Sequence, residues 1–313
     1  MKKLKIIMFI LIIVSMNFLF ACKNTKIKSL NKESTIVENI MNKKMVSDYA
    51  DGIMADRFDT VSFGLYEQDG NTEKGKEKIE WFILDKDLDS GKALLVSKYI
   101  LDTSSFGASL FSIDWENSDI RKWLNSNFYN EAFNEEEKNY ILEVNNTNQT
   151  EPKKNKSIFD DFGGFGGFGG FGGFGGFGNF GGFGGFNGFN NQNQSNNTKD
   201  KVFLLSYDEC IKYFGKNKQN NILGVPHDVN RKLAAKGTTY AFNEKGLMKL
   251  GEEYKREWAY ECSNFWLRAP AEDNEASYVD VLGIPQYSSM YATEINVGIR
   301  PAIWVNISDI QTL

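Results

Sequence analysis

Residues 61–97 read VSFGLYEQDGNTEKGKEKIEWFILDKDLDSGKALLVS. Three apolar runs, Val61 to Tyr66, Ile79 to Leu84 and Ala93 to Ser97, are separated by polar stretches containing Asp69-Gly70-Asn71 and Asp89-Ser90-Gly91. Branched and aromatic side chains suit a pleated, half-buried surface, while Gly, Asp and Asn accept the backbone of a tight turn. The stretch therefore predicts an antiparallel strand series.

Helical patterns surround it. Upstream, Thr35 with Glu38 makes a capping box, and Ile36, Val37, Ile40, Met41 and Met45 recur at helical spacing. Downstream, Ile120, Trp123, Leu124 and Phe128 share one face behind a cap at Asn117 or Ser118. Asn134 then precedes Glu135-Glu136-Glu137, acids that suit the positive end of a helix. Both faces must bury against the sheet. Later, Val202-Phe203-Leu204-Leu205 reads as a buried strand, and Ser206 with Glu209 caps a helix running to Phe214. Asn243 to Trp258 is mostly charged and reads as helical, and Phe265 to Leu267, Tyr278 to Leu282 and Ile299 to Val305 read as closing strands. The strands before and after residue 150 must share one core, since neither set suffices alone. The fold expected is a single α+β domain, a twisted antiparallel sheet with flanking helices.

The intervening stretch is a different material. From Phe162 to Phe189 a phenylalanine falls at every third position, mostly with Gly-Gly between. Glycine loses the most backbone entropy on ordering, and a chain with no side chains between its rings cannot recover it by packing. A disordered insertion over residues 151–200 is expected, either a set of aromatic stickers that self-associate or a repeat expansion tolerated because long loops cost little extra closure entropy.

The first residues, Met1-Lys2-Lys3-Leu4-Lys5, are basic, and Ile6 to Phe20 is almost wholly apolar, the layout of a secretory signal peptide. Leu19-Phe20-Ala21-Cys22 resembles the bacterial lipobox, which predicts cleavage after residue 21 and lipid on Cys22, with residues 22–60 as tether and first helix. A multiply acylated cysteine holds a chain to a membrane without a spanning helix. The partners expected are thus that membrane and a surface protein or glycan. The net charge of −5 argues against nucleic acid, which wants a basic face.

Catalytic patterns are thin. His227 is the sole histidine, in Val225-Pro226-His227-Asp228, and no nucleophile motif accompanies it. Clustered Cys/His metal spacing is absent. Cys210 and Cys262 could pair or remain free thiols. Glu272-Asp273-Asn274-Glu275 offers carboxylate and amide oxygens of the type that bind calcium, or a solvated loop. Arg268 and Arg300 could clamp an anionic ligand group, or pair with internal carboxylates and carbonyls and hold the fold. Trp115, Trp123, Trp266 and Trp304 read as core. Between Leu282 and Val297, Ile284, Tyr287, Met290 and Tyr291 alternate with Gly, Ser and Gln, a mix that suits an adaptable binding loop.

Several of these segments together resemble the DUF6273 family of bacterial exported and surface domains. They are Trp115 to Asn125, Phe128-Tyr129, Ala132-Phe133, Glu135 to Lys138, Lys201 to Ser206, Phe265-Trp266-Leu267-Arg268-Ala269-Pro270 and Val297-Gly298-Ile299-Arg300-Pro301-Ala302, in that order across Ser62 to Ile307. Phe265 stands where the family usually carries tryptophan, and Ala269 where it carries serine. The closing Gly-x-Arg-Pro-Ala is also similar to C-type-lectin-like domains related to formylglycine-generating enzymes, which implies two helices beside a twisted sheet. Enzymes of that kind use a cysteine pair with copper. Cys210 and Cys262 are the available pair, but one sits in a predicted amphipathic helix and the other just before a strand, so no cofactor is expected. The function expected is a non-catalytic, lipid-anchored ligand-binding or display module, with an enzyme related to formylglycine-generating or sugar-active proteins, or structural self-association through the Phe-Gly tract, as the alternatives. The expected organisation is leader 1–21, tether and helix 22–60, domain parts 61–150 and 201–313, and insertion 151–200.

Overall fold

A computed structural model describes residues 36–107, 114–147, 197–215, 218–222, 225–268 and 274–308. The leader, Cys22, the Phe-Gly tract, and Glu272 with Asp273 lie outside the described residues. The helix at residues 36–42 (α1) buries Val37 and Ile40, the face its spacing predicts. The strand series follows as β1 (Thr60–Tyr66), β2 (Glu77–Asp87) and β3 (Lys92–Ser97), each antiparallel to the next, and then the short β4 (Asp102–Thr103). Next come α2 (Asp119–Trp123), a π-type turn over Leu124–Phe128 and α3 (Tyr129–Ala132). Ser118 caps α2 by accepting the Arg121 N–H, and Asn134 makes a capping box with Glu137 at the start of α4 (Glu135–Lys138). Ile120, Leu124 and Phe128 bury fully, so the predicted face is the buried one.

After β5 (Ile141–Leu142), β6 (Val144–Asn146) pairs antiparallel with β7 (Thr198–Asp200), making a two-stranded stem on either side of the insertion. Asp200 ties this stem to the domain. Its buried carboxylate accepts from Arg121 Nε at 2.6 Å, Thr198 Oγ1 at 2.7 Å, Asn146 Nδ2 at 2.9 Å and Trp115 Nε1 at 3.0 Å. Beyond it lie β8 (Val202–Phe203), α5 (Tyr207–Phe214) with the predicted Ser206–Glu209 box, and the hairpin β9 (Lys218–Ile222) and β10 (Val225–Val229). His227 falls within that hairpin, in register with Asn220.

The stretch after β11 (Ala235–Lys236) departs from expectation. Residues 243–258 do not form one charged helix. Thr238 caps a short α6 (Thr239–Asn243), and single 3₁₀ turns follow over Leu250–Tyr254 and Glu257–Ala259. Gly251 shows why: a Cβ there would lie 1.5 Å from the Ala259 carbonyl oxygen, so this backbone folds back on itself rather than extending. Strands β12 (Cys262–Ser263), β13 (Phe265–Trp266), β14 (Glu275–Val279), β15 (Pro285–Tyr291), β16 (Gly298–Ile299) and β17 (Ala302–Asn306) complete the chain. The expected late binding loop is thus largely the strand β15.

Two larger sheets result. One has six strands, ordered β1-β2-β3-β17-β5 with β8 also on β17, and the other five, ordered β15-β14-β13-β16-β4. The run expected as one strand, Ile299 to Val305, is split by Arg300-Pro301 between the two sheets. Beside it the chain makes the same passage from β3 to β4, with Ser97 N donating to Pro301 O and Leu101 N to Ile299 O. β17 pairs with β3 from before the insertion and β8 from after it, and one apolar core runs from Val37 to Ile307. The chain is a single α+β domain.

Candidate functional site

A cleft of about 470 Å³ opens beside this sheet crossing. Met54 to Asp56, and Arg231 with Ala234, wall it together with three further parts of the chain. The end of β1 and the start of β2 bring Gln68, Asp69, Glu77, Lys78, Glu80 and Phe82; the exit from β3 brings Lys98 and Tyr99; β11 and the turns after it bring Lys236, Gly237, Thr238, Trp258, Glu261 and Cys262. Backbone bonds hold the walls together: Lys98 N donates to Glu80 O, Ile100 N to Lys236 O, Gly237 N to Glu261 O and Tyr240 N to Gln68 O, all at 2.9–3.0 Å. Gly237 is needed for its lack of a side chain, since a Cβ would lie 2.3 Å from Leu247 Cδ2.

Asn230 to Leu233 distributes consecutive side chains to different tasks. Asn230 Oδ1 accepts the Leu233 N–H and closes the turn. Leu233 enters the core, Lys232 Nζ donates to the Tyr49 carbonyl and pins the N-terminal segment, and Arg231 turns to the cleft. There its guanidinium carbon lies 5.2 Å from the centre of the Trp258 ring, a cation–π contact. Trp258 Nε1 is buried and meets no acceptor among the described residues. An indole N–H removed from water without a partner costs about 1–3 kcal/mol.

Two of the four cations that line the cleft sit in ion pairs. Lys98 Nζ lies 2.8 Å from Glu80 Oε2, and Lys236 Nζ lies 2.8 Å from Glu261 Oε2. Burial works against the Glu80 carboxylate, but hydrogen bonds from Lys98 and Thr60 outweigh it and hold its pKa below the usual carboxylate value. Burial likewise opposes charge on Lys98, and the Glu80 bond more than compensates, raising its pKa. The bond to Glu261 raises that of Lys236. At the cleft margin Glu67, Asp69 and Glu77 bring carboxylate oxygens within 4.8 Å of one another, the group among the described residues that could hold a cation. The sequence showed this segment only as a turn.

Of the residues singled out from sequence, Cys262 lines the cleft, and Arg268, Arg300, Tyr287, Tyr291 and Cys210 fall elsewhere. Arg268 is buried and grips Glu209 through both terminal nitrogens, at 3.1 and 3.3 Å, while its Nη1 also donates to Leu204 O. Arg300 fills the sheet crossing, its Nε donating to Ser97 O at 2.9 Å and its Nη1 to Leu233 O at 2.8 Å. The rings of Phe82, Phe214 and Phe265 surround its guanidinium in place of a carboxylate, and burial lowers its pKa to about 10. Both arginines thus make the internal contacts that the sequence offered as the alternative to ligand binding. Tyr287 packs edge-on against Tyr207, and Tyr291 is 60% exposed on the sheet edge. Cys210 and Cys262 are free thiols, not a disulfide. Burial pushes both up in pKa, Cys262 to about 12, which leaves little thiolate for nucleophilic work.

A family model described as "Domain of unknown function (DUF6273)" matches residues 90–163 and 182–307, well over half of the chain. The chain belongs to the DUF6273 family. The DUF6273 match carries Lys98, Tyr99, Arg231, Lys236, Trp258 and Glu261 of the cleft, whereas Gln68, Asp69, Glu77, Glu80 and Phe82 precede it. No curated protein and no solved structure matches the chain. No helix among the described residues is long and apolar enough to cross a membrane.

Proposed function

We propose that this DUF6273 domain is a non-catalytic ligand-binding module, exported and held at the outer face of a membrane by lipid on Cys22, and that its ligand sits in the cleft between Tyr99 and Trp258. The observation that carries the binding site is the 470 Å³ cleft itself, lined by Tyr99 and Trp258 beside Arg231, a size suited to a small ligand or one end of a larger one. The raised pKa values of the Cys210 and Cys262 thiols support a binding role over a nucleophilic one. The lipobox-like Leu19-Phe20-Ala21-Cys22 supports the address. The C-type-lectin-like likeness is an analogy of fold and carries no part of the site.

Substitutions at Cys22 and in the cleft test the halves of this reading separately. Metabolic labelling with a fatty-acid probe should mark the wild-type protein and not Cys22→Ala, which should leave the membrane fraction; a Cys22→Ala protein that stays membrane-bound removes the anchor. For the cleft, the soluble domain should show a saturable thermal shift with at least one member of a panel of sugars, amino acids, peptides and phosphates. Trp258→Ala should lose that shift. A shift unchanged in Trp258→Ala and in Tyr99→Ala places the ligand elsewhere and sinks the site.

A further inference from the structure

We infer that the ligand of this cleft carries a carboxylate and that Arg231 receives it. This rests on the cleft being the binding site and adds the group by which its occupant is held. Four cations line the cleft, Lys78, Lys98, Arg231 and Lys236. Two are taken, Lys98 by Glu80 and Lys236 by Glu261, each at 2.8 Å. Lys78 is exposed. Arg231 is the half-buried one that remains, and among the described residues its guanidinium meets the Trp258 ring but no carboxylate and no hydrogen-bond acceptor. A ring attracts the charge but does not engage the five N–H donors of the guanidinium as acceptor oxygens do, so these are left for water or a ligand. The turn that carries Arg231 is fixed on both sides: Asn230 N donates to Leu282 O, Asn230 Oδ1 accepts the Leu233 N–H, and Lys232 and Leu233 are buried. Its backbone therefore needs no rearrangement to present the side chain.

Charge and geometry select the class of anion. Of the five lining carboxylates, Glu80 and Glu261 are in the pairs above, and Asp69 meets Lys74 at 3.4 Å. Asp56 and Glu77 remain, set against Arg231 and Lys78, so a single negative charge enters a surround of balanced charge. A phosphate dianion meets twice the repulsion from the same carboxylates. A carboxylate also matches the guanidinium fork, since its two oxygens lie in one plane and accept two parallel charge-assisted N–H bonds. This is the role the sequence offered for Arg268 and Arg300, whose donors are occupied inside the protein by Glu209 and Leu204 O and by Ser97 O and Leu233 O.

The test uses the full mature chain with two acids, each beside a counterpart lacking the carboxylate: triglycine against triglycinamide, and glucuronate against glucose. Inorganic phosphate is the fifth probe, and binding is read by indole fluorescence and calorimetry. At least one acid should bind with saturation, and its counterpart at least tenfold more weakly; which acid binds separates a peptide terminus from a sugar acid. Arg231→Met, which keeps an unbranched apolar stem beside Trp258, should weaken the acid by roughly tenfold to a hundredfold, the value of a hydrogen bond to a charged group, and leave the counterpart unchanged. Arg231→Lys, which keeps the charge without the fork, should fall between, with near-ultraviolet circular dichroism confirming each fold. If the acid binds Arg231→Met as it binds wild type, or its counterpart binds wild type as tightly, the carboxylate contact is wrong; the cleft stands as a binding site where Trp258→Ala still abolishes that binding. If phosphate binds in an Arg231-dependent way and neither acid does, the carboxylate assignment falls and the cleft remains. If none of the probes binds, both readings fail.

Discussion

Asp200→Asn tests whether one buried carboxylate holds the two halves of the chain together. Asp200 is 1% exposed and receives four hydrogen bonds, from Arg121, Trp115, Asn146 and Thr198. The amide is isosteric, but its nitrogen is a donor facing donors, and the charge that balances Arg121 disappears. Breaking a buried ion pair by neutralising one partner costs about 3–5 kcal/mol. Arg121, with its side chain 23% exposed, recovers part of that by rehydration. A loss of about 3 kcal/mol follows, which for a domain of this size lowers Tm by about 6–12 °C. The assay is urea and thermal unfolding followed by tryptophan fluorescence, since Trp115 is itself one of the donors. Hydrogen exchange should show the largest loss of protection in residues 144–146 and 198–200. A double-mutant cycle with Arg121→Met should return a coupling of about 1–3 kcal/mol. Asp200→Asn within about 0.5 kcal/mol of wild type, or a coupling near zero, would refute the role of Asp200 as the clamp.

The stem itself makes a second prediction. Asn146 pairs with Thr198, so removal of residues 148–196, combined with Thr147→Asn and Asn197→Gly, closes the stem with an Asn-Gly two-residue hairpin loop. The shortened protein should fold with a Tm no lower than wild type, and gain up to about 3 kcal/mol from the smaller closure entropy. If instead it is insoluble or unfolded, the insertion is part of the fold. The same variant should lose any clustering that the Phe-Gly tract confers, measured by light scattering, and unchanged clustering would remove self-association from consideration. For the Glu80–Lys98 pair, the sign of the pH dependence is set by the direction of each shift. Glu80, held below its ordinary value, stabilises the fold above that value and loses the contribution as pH falls through its folded-state pKa; Lys98, held above its ordinary value, loses its contribution as pH rises through its own. Glu80→Gln should cost under about 1 kcal/mol near neutrality, because the Glu80 side chain is 37% exposed, and the difference from wild type should shrink in acid. A difference in urea midpoint that does not change between neutral and acid pH would contradict the pairing.

The local elements were legible because their signals are local. Apolar runs bounded by turn residues marked β1, β2 and β3, and the side-chain caps Ser118, Asn134 and Ser206 marked their helices, since each satisfies backbone N–H groups within three residues. Charge-rich composition misled at residues 243–258, where the deciding contact is Gly251 against Ala259 and has no periodic signature. The cleft left no motif either. Glu80 meets Lys98 and Lys236 meets Glu261 only after β2, β3, β11 and β12 have been laid side by side.

Sequence by itself determined the α+β class, the caps, the apolar faces, the interruption by the Phe-Gly tract and the need for both flanking parts to share one core. Each depends on spacing along the chain, which propensity and amphipathic period express directly. Only the tertiary structure decided that Arg300-Pro301 divides one apolar run between two sheets and that Arg268 and Arg300 face carbonyls, a carboxylate and rings inside the protein. It alone brought Trp258 into one cleft with residues of β2 and the end of β1. These are meetings of residues far apart in the chain, fixed by which strand pairs with which, and pairing is settled by the packing of the whole core.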